Sequence, residues 1–132
     1  MTNKRILIIE DNLLNLELAT DILEANSFVV SSAQTAEEGL RMAREILPDL
    51  VLMDFALPGM DGLSATKDLK NNPDTRRIKV VGLTAHAMKG DTEIAFKAGC
   101  DGYLTKPIDT RTFIESITRF AALGDSHQTT DN

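Results

Sequence analysis

Three carboxylates, a hydroxyl and an ammonium stand at or just beyond the ends of apolar runs. Glu10-Asp11 follow Ile6-Leu7-Ile8-Ile9, Asp54 ends Asp49-Leu50-Val51-Leu52-Met53, Thr84 follows Val80-Val81-Gly82-Leu83, and Lys106 follows Tyr103-Leu104-Thr105. If the runs are parallel strands, all five groups emerge at the carboxyl edge of one sheet, where open α/β folds bind ligands. Two carboxylates about 4 Å apart repel by about 4 kcal/mol at an effective dielectric near 20, so a cluster of three calls for positive charge. Lys106 supplies one unit. An all-oxygen cluster with room for water and phosphate suits Mg2+ (or Mn2+), held by Asp11 and Asp54 directly and by Glu10 through water. A carboxylate is also a nucleophile that carries a phosphoryl group as an acyl phosphate. Asp54, on the central run, is the candidate, with Thr84 and Lys106 facing the phosphoryl oxygens.

The elements that must position these groups alternate regularly. Strands are expected at 5–10, 28–33, 49–54, 78–84 and 101–105, and helices at 13–26, 36–47, 62–71, 89–98 and 110–122. The helix assignments rest on stripes spaced three and four apart: Leu14, Leu18 and Ile22; Ala36, Leu40, Ala43 and Leu47; Phe113, Ile117 and Phe120. Thr35-Ala36-Glu37-Glu38 reads as a capping box. Asp61 and Asp109 are candidate N-caps, and Gly99 a left-handed stop. The first and third strands are nearly continuous apolar runs, as a parallel sheet covered on both faces requires. Together these predict an α/β, doubly wound, five-stranded parallel sheet. A single domain over residues 1–122 and a fraying tail over 123–132 complete the expected organisation.

Composition excludes several classes. The apolar fraction of 42% and charged fraction of 26% are those of an ordinary soluble globular protein. A net charge of -6, with no Lys/Arg cluster larger than the pairs Lys4-Arg5 and Arg76-Arg77, argues against direct DNA binding. Asp61, Lys67, Lys70, Arg76, Arg77 and Lys79 read as solvated faces and caps. Cys100 is alone, which fits a reducing compartment and a small buried thiol. The apolar stretch from Ile6 to Ile9 is too short for a signal-peptide core and no stretch approaches a membrane span, so a cytoplasmic protein is expected.

Over residues 4–122 the chain resembles the response-regulator receiver domains of two-component signalling. The acid pair Glu10-Asp11-Asn12 after the first strand, Asp54 ending the third, Thr84 ending the fourth and Lys106-Pro107 after the fifth stand in that family's order. The resemblance implies a flavodoxin-like, CheY-like fold with strand order 2-1-3-4-5 and phosphorylation of Asp54. It also implies the backbone carbonyl of Ala56 as a metal ligand and a cis Lys106–Pro107 bond. Tyr103 matches the family's switch aromatic, which turns inward as Thr84 moves toward the phosphoryl group. Ala56 and His86 match positions that influence phosphate lifetime. Ala56 has no side chain to orient a water, so slower self-dephosphorylation is expected than in an Ala56→Asn variant, while His86 reads equally well as an exposed loop histidine.

Implied partners are a histidine kinase or a histidine phosphotransfer protein as donor, and a protein target on the face made by the fourth helix, fifth strand and fifth helix. A monomer or a weak phosphorylation-dependent dimer is expected. With no output domain in the sequence, the chain is similar to the single-domain regulators of cell-cycle and polarity circuits. A receiver fragment of a hybrid kinase is an alternative, because Thr84-Ala85-His86-Ala87-Met88-Lys89-Gly90-Asp91 resembles receivers attached to such kinases. A phosphatase of the haloacid dehalogenase type fits less well, since Glu10-Asp11-Asn12 is not the Asp-x-Asp of those enzymes. A flavin carrier lacks a phosphate loop after the first strand. Taken singly, Glu10-Asp11 could be a solvated helix start, Asp54 a turn residue before Pro58-Gly59, Thr84 a strand-end hydroxyl, Lys106 part of a surface turn and Tyr103 a core residue. Their joint order decides for the receiver.

Overall fold

A computed structural model of the chain describes residues 4–55, 62–84, 89–105 and 109–130, with backbone alone at 89–92 and 122–130. Five strands alternate with five helices: β1 (Arg5–Ile9), α1 (Leu13–Ala25), β2 (Val29–Ala33), α2 (Ala36–Ile46), β3 (Leu50–Asp54), α3 (Gly62–Asn71), β4 (Lys79–Thr84), α4 (Lys89–Ala98), β5 (Gly102–Thr105) and α5 (Thr110–Thr130). The strands form one parallel sheet in the order β2-β1-β3-β4-β5, the doubly wound CheY-like arrangement expected from the sequence.

Side-chain alternation along the strands divides the core in two. Leu7, Ile9, Val51, Met53 and Val80 face residues of α2, α3 and α4, including Ala36, Leu40, Ala65, Leu69 and Ala95. Ile6, Ile8, Leu50, Leu52, Val81 and Leu83 face α1 and α5 through Ala19, Leu23, Phe113 and Ile117. β3 is buried at all five positions and β1 at four of five, as the continuous apolar runs require.

Several local signals act as anticipated. Thr35 Oγ1 accepts from the Glu38 amide at 3.1 Å. The Glu38 carboxylate reaches one residue further back than a regular capping box, accepting from Gln34 N at 3.2 Å. Asp109 accepts from Arg111 N, and Gly99, at φ 110°, closes α4 with Gly99 N donating to Phe96 O and Cys100 N to Ala95 O. Asp61 lies outside the described residues.

Four expectations are corrected. Leu14 and Leu18 are 77% and 44% exposed, because α1 docks through Ala19, Ile22 and Leu23, a face rotated away from the Leu14–Leu18 line. Leu47 is 54% exposed; it is the left-handed C-cap of α2 at φ 47° and has left the helical stripe. Lys70 is not a solvated cation. Its Nζ donates to Ile78 O at 2.8 Å and Asp101 Oδ2 at 2.9 Å, while Val80 N donates to the same carboxylate oxygen at 2.8 Å, tying α3 to the entrances of β4 and β5. Finally, α5 runs to Thr130 rather than ending at 122; Gly124 is a weak breaker and no proline follows it.

Candidate functional site

Register builds the site. Ile8 pairs with Leu52 and Ile9 with Met53, so Glu10 and Asp54 are the next step of the same two rows. Each continues a row facing α1 and α5: Ile6, Ile8, Glu10 and Leu50, Leu52, Asp54. Glu10 is 1% exposed and Asp54 2%, a degree of burial that charged groups rarely reach unless paired or bound to metal.

The loop after β1 orients the first acid. Glu10 N donates to Ala33 O at 3.0 Å, holding the strand end against β2. Asn12 N donates to Glu10 Oε2 at 3.1 Å, and Asn12 Oδ1 accepts from Asn15 N at 3.0 Å as the N-cap of α1. One residue thus starts the helix and aims the buried carboxylate. This cap adds to those expected from the sequence, and an Asn before a leucine-rich helix is its ordinary signal.

Carboxylate oxygens of Glu10, Asp11 and Asp54 lie within 4.8 Å of one another. Two of the three acids are buried and Asp11 is exposed, so the cluster opens to solvent on one side. Hard oxygen donors, concentrated negative charge and an open side are the donor set of a divalent ion of the Mg2+ class. The residues present therefore fit the implied metal.

Thr84 ends β4 one residue beyond Leu83, which pairs with Asp54. It is partly buried and opposite Thr105, so the hydroxyl belongs to the same sheet edge. Tyr103 pairs with Gly82 and packs edge-on against Phe96 of α4, with ring centroids 6.0 Å apart and planes at 76°. The structure thus brings Glu10, Asp11 and Asp54 together and puts Thr84 at the neighbouring strand end. Ala56, His86, Lys106 and the Lys106–Pro107 bond lie outside the described residues.

Cys100 is a buried free thiol, pushed up to about 11 by burial, with the Thr66 hydroxyl opposing that rise. It stands beneath α3, at the end of the sheet away from the acids.

No helix among the described residues is long and apolar enough to cross a membrane. Comparison with known proteins gives a consistent assignment. The profile of the family described as "Response regulator receiver domain" matches residues 6–118. The chain is 44% identical over 123 residues to the "Polar-differentiation response regulator DivK" of Brucella ovis, covering 93% of this chain and 98% of that protein. Among solved structures, a CheY-like receiver domain protein from Methanospirillum hungatei superposes with a TM-score of 0.87 at 28% identity, covering 96% of this chain and 99% of that one. The receiver domain of a sensor histidine kinase from Pseudomonas aeruginosa, solved with a magnesium ion coordinated in its active-site cleft, superposes with a TM-score of 0.84 at 30% identity, covering 92% and 99%. These matches displace the phosphatase and flavin-carrier alternatives and imply a histidine kinase partner. The chain belongs to the response regulator receiver domain family and is a signalling receiver, not a classical enzyme.

Proposed function

We propose that this receiver works as a cytoplasmic phosphorylation switch with Asp54 as phosphoacceptor. A histidine kinase or histidine phosphotransfer protein supplies the phosphoryl group. One observation carries the reading: a 2%-exposed aspartate lies in a three-carboxylate cluster at the carboxyl edge of a doubly wound sheet.

In the transfer, an Asp54 carboxylate oxygen attacks phosphorus, the phosphorus–nitrogen bond of the donor phosphohistidine breaks, and the imidazole leaves with that electron pair. Asp54 becomes an acyl phosphate. Asp11 and Asp54 would hold the metal directly, Glu10 would act through water, and the Ala56 carbonyl would complete the protein ligands. A divalent ion of the Mg2+ class held there would supply positive charge to offset that on the phosphoryl oxygens. Thr84 and Lys106 donate to the remaining oxygens.

The new group carries about -1.5 to -2 charge, and it favours the conformer in which Thr84 and Lys106 come closest. Tyr103 turns with Thr84, changing the face made by α4, β5 and α5 that a protein target or the next relay member reads. Ala56 gives the phosphoryl group a long lifetime, which Ala56→Asn shortens; His86 borders the same water path.

The test is phosphotransfer from purified histidine kinases and phosphotransfer proteins, with and without Mg2+, to the wild type and Asp54→Asn. Rapid Mg2+-dependent labelling of the wild type alone is expected. Labelling of Asp54→Asn at the wild-type rate would remove Asp54 from its role.

A further inference from the structure

Phe96 is 50% exposed, and the core does not explain an aromatic at this position. Its neighbours Ala95 and Ala98 carry the buried face of α4. What Phe96 does touch is Tyr103, in an edge-to-face contact at 6.0 Å. On the other side, Tyr103 has Gly82 as its β4 partner, and the space above Gly82 is filled by the ring of Phe55. The tyrosine therefore stands beside a strand position already occupied, with Phe96 as its partner on α4.

We infer that Phe96 is a positioning residue for the switch: its ring holds Tyr103 in the orientation packed on α4 and so sets the ratio of the two conformers before any phosphoryl group arrives. This rests on the reading of Tyr103 as the switch aromatic given above. An edge-to-face pair is strong enough to bias such an equilibrium roughly two- to tenfold. A ligand that selects the other conformer has its apparent affinity reduced by the fraction of protein not yet in it. Removing the Phe96 ring therefore tightens binding of any phosphoryl mimic at Asp54.

Tyr103 is the sole tyrosine of the chain, so incorporation of 3-fluorotyrosine places one fluorine reporter on the switch. The 19F resonance is followed in the whole 132-residue chain during titration with beryllofluoride and Mg2+, for wild type, Phe96→Ala and Phe96→Trp. The wild-type resonance should move on saturation. In Phe96→Ala the unliganded resonance should already lie toward the saturated position, with the half-saturating beryllofluoride concentration lowered roughly two- to tenfold, and Phe96→Trp should return both to near the wild-type values. If the wild-type resonance moves but Phe96→Ala changes neither quantity, or Phe96→Trp restores neither, the inference falls and the phosphoacceptor reading stands. If the wild-type resonance stays still while Asp54 is demonstrably labelled, Tyr103 is not the switch and the inference falls with it.

Discussion

The ring of Phe55 occupies the place that a side chain on Gly82 would take: a Cβ built there overlaps the ring. Phe55, the residue that follows β3, and Gly82 of the neighbouring β4 form a knob and a hole immediately beside Asp54. Gly62 adds the third wall, since a Cβ on it would lie 2.6 Å from Asp54 O and 2.9 Å from Phe55 Cδ1.

Gly82→Ala should therefore cost about 1–3 kcal/mol of stability through overpacking, although alanine is a good core residue. Combining it with Phe55→Leu should recover most of that loss, a non-additive outcome. Urea denaturation of the two single variants and the double variant measures the coupling; simple additivity would mean that the rings and backbone relax independently.

The exposed leucines of α1 lead to a functional test. Leu13, Leu14 and Leu18 are 65%, 77% and 44% exposed on α1, whose N-cap Asn12 directly follows Asp11, an apolar patch of the kind that marks a protein contact. Leu14→Gln and Leu18→Gln should change stability by no more than about 0.5 kcal/mol. They should slow phosphotransfer from a histidine protein donor several-fold while leaving labelling by acetyl phosphate unchanged. Leu23→Ala, at a buried position of the same helix, should instead cost about 2–5 kcal/mol. Rates with the two donors, set beside melting curves, separate these outcomes.

That helix also marks the limit of what the residues alone disclose. The strands were legible because each apolar run is short and bounded by polar residues, and the acids emerge from them in register. α1 carries leucines at 13, 14, 16, 18 and 23, enough for two overlapping stripes, and only docking on the sheet selects between them. The Lys70–Asp101 pair spans 31 residues, and no local pattern relates its partners. Within the site, Glu10, Asp11, Asp54 and Thr84 were legible as strand ends, whereas the role of Phe96 depends on a contact between α4 and β5 that spacing does not encode.

The Lys70 knot makes a stability prediction. Lys70→Met removes the ammonium from two backbone carbonyls and from the partly buried Asp101, leaving Lys79 at 4.0 Å as a weaker counter-charge. A loss of about 1–3 kcal/mol is expected. Adding Asp101→Asn, which keeps an acceptor for Val80 N, should recover part of it. Thermal unfolding of the set decides; an unchanged melting temperature for Lys70→Met would make the knot incidental.

Charge in the acidic cluster predicts a reversal of sign with metal. Without divalent ions, Asp11→Asn should be more stable than wild type by about 1 kcal/mol, because Asp11 is exposed and its repulsion is screened. With millimolar Mg2+ the wild type should gain stability by mass action and the variant should gain much less. Melting curves at several Mg2+ concentrations, followed by chelation, read both effects.

Cys100 gives a pH dependence. Its folded value of about 11 against 9.0 for a free thiol means that the unfolded chain ionises first. The contribution is complete below pH 9 and is lost as pH rises from about 9 to about 11. The denaturation midpoint should accordingly fall less steeply across that window in Cys100→Ala than in the wild type. Equal slopes would show that the thiolate forms as readily inside the fold as outside it.

Glu10 and Asp54 continue rows that look toward α1 and α5, whereas Gly82 and Thr84 share the row of Val80, which looks toward α3 and α4. The sheet edge is thus a watershed. A donor seated over α1 would charge the protein from one slope, and the aromatic pair on α4 would announce the change on the other, so a delivering partner need not depart before a listening one arrives.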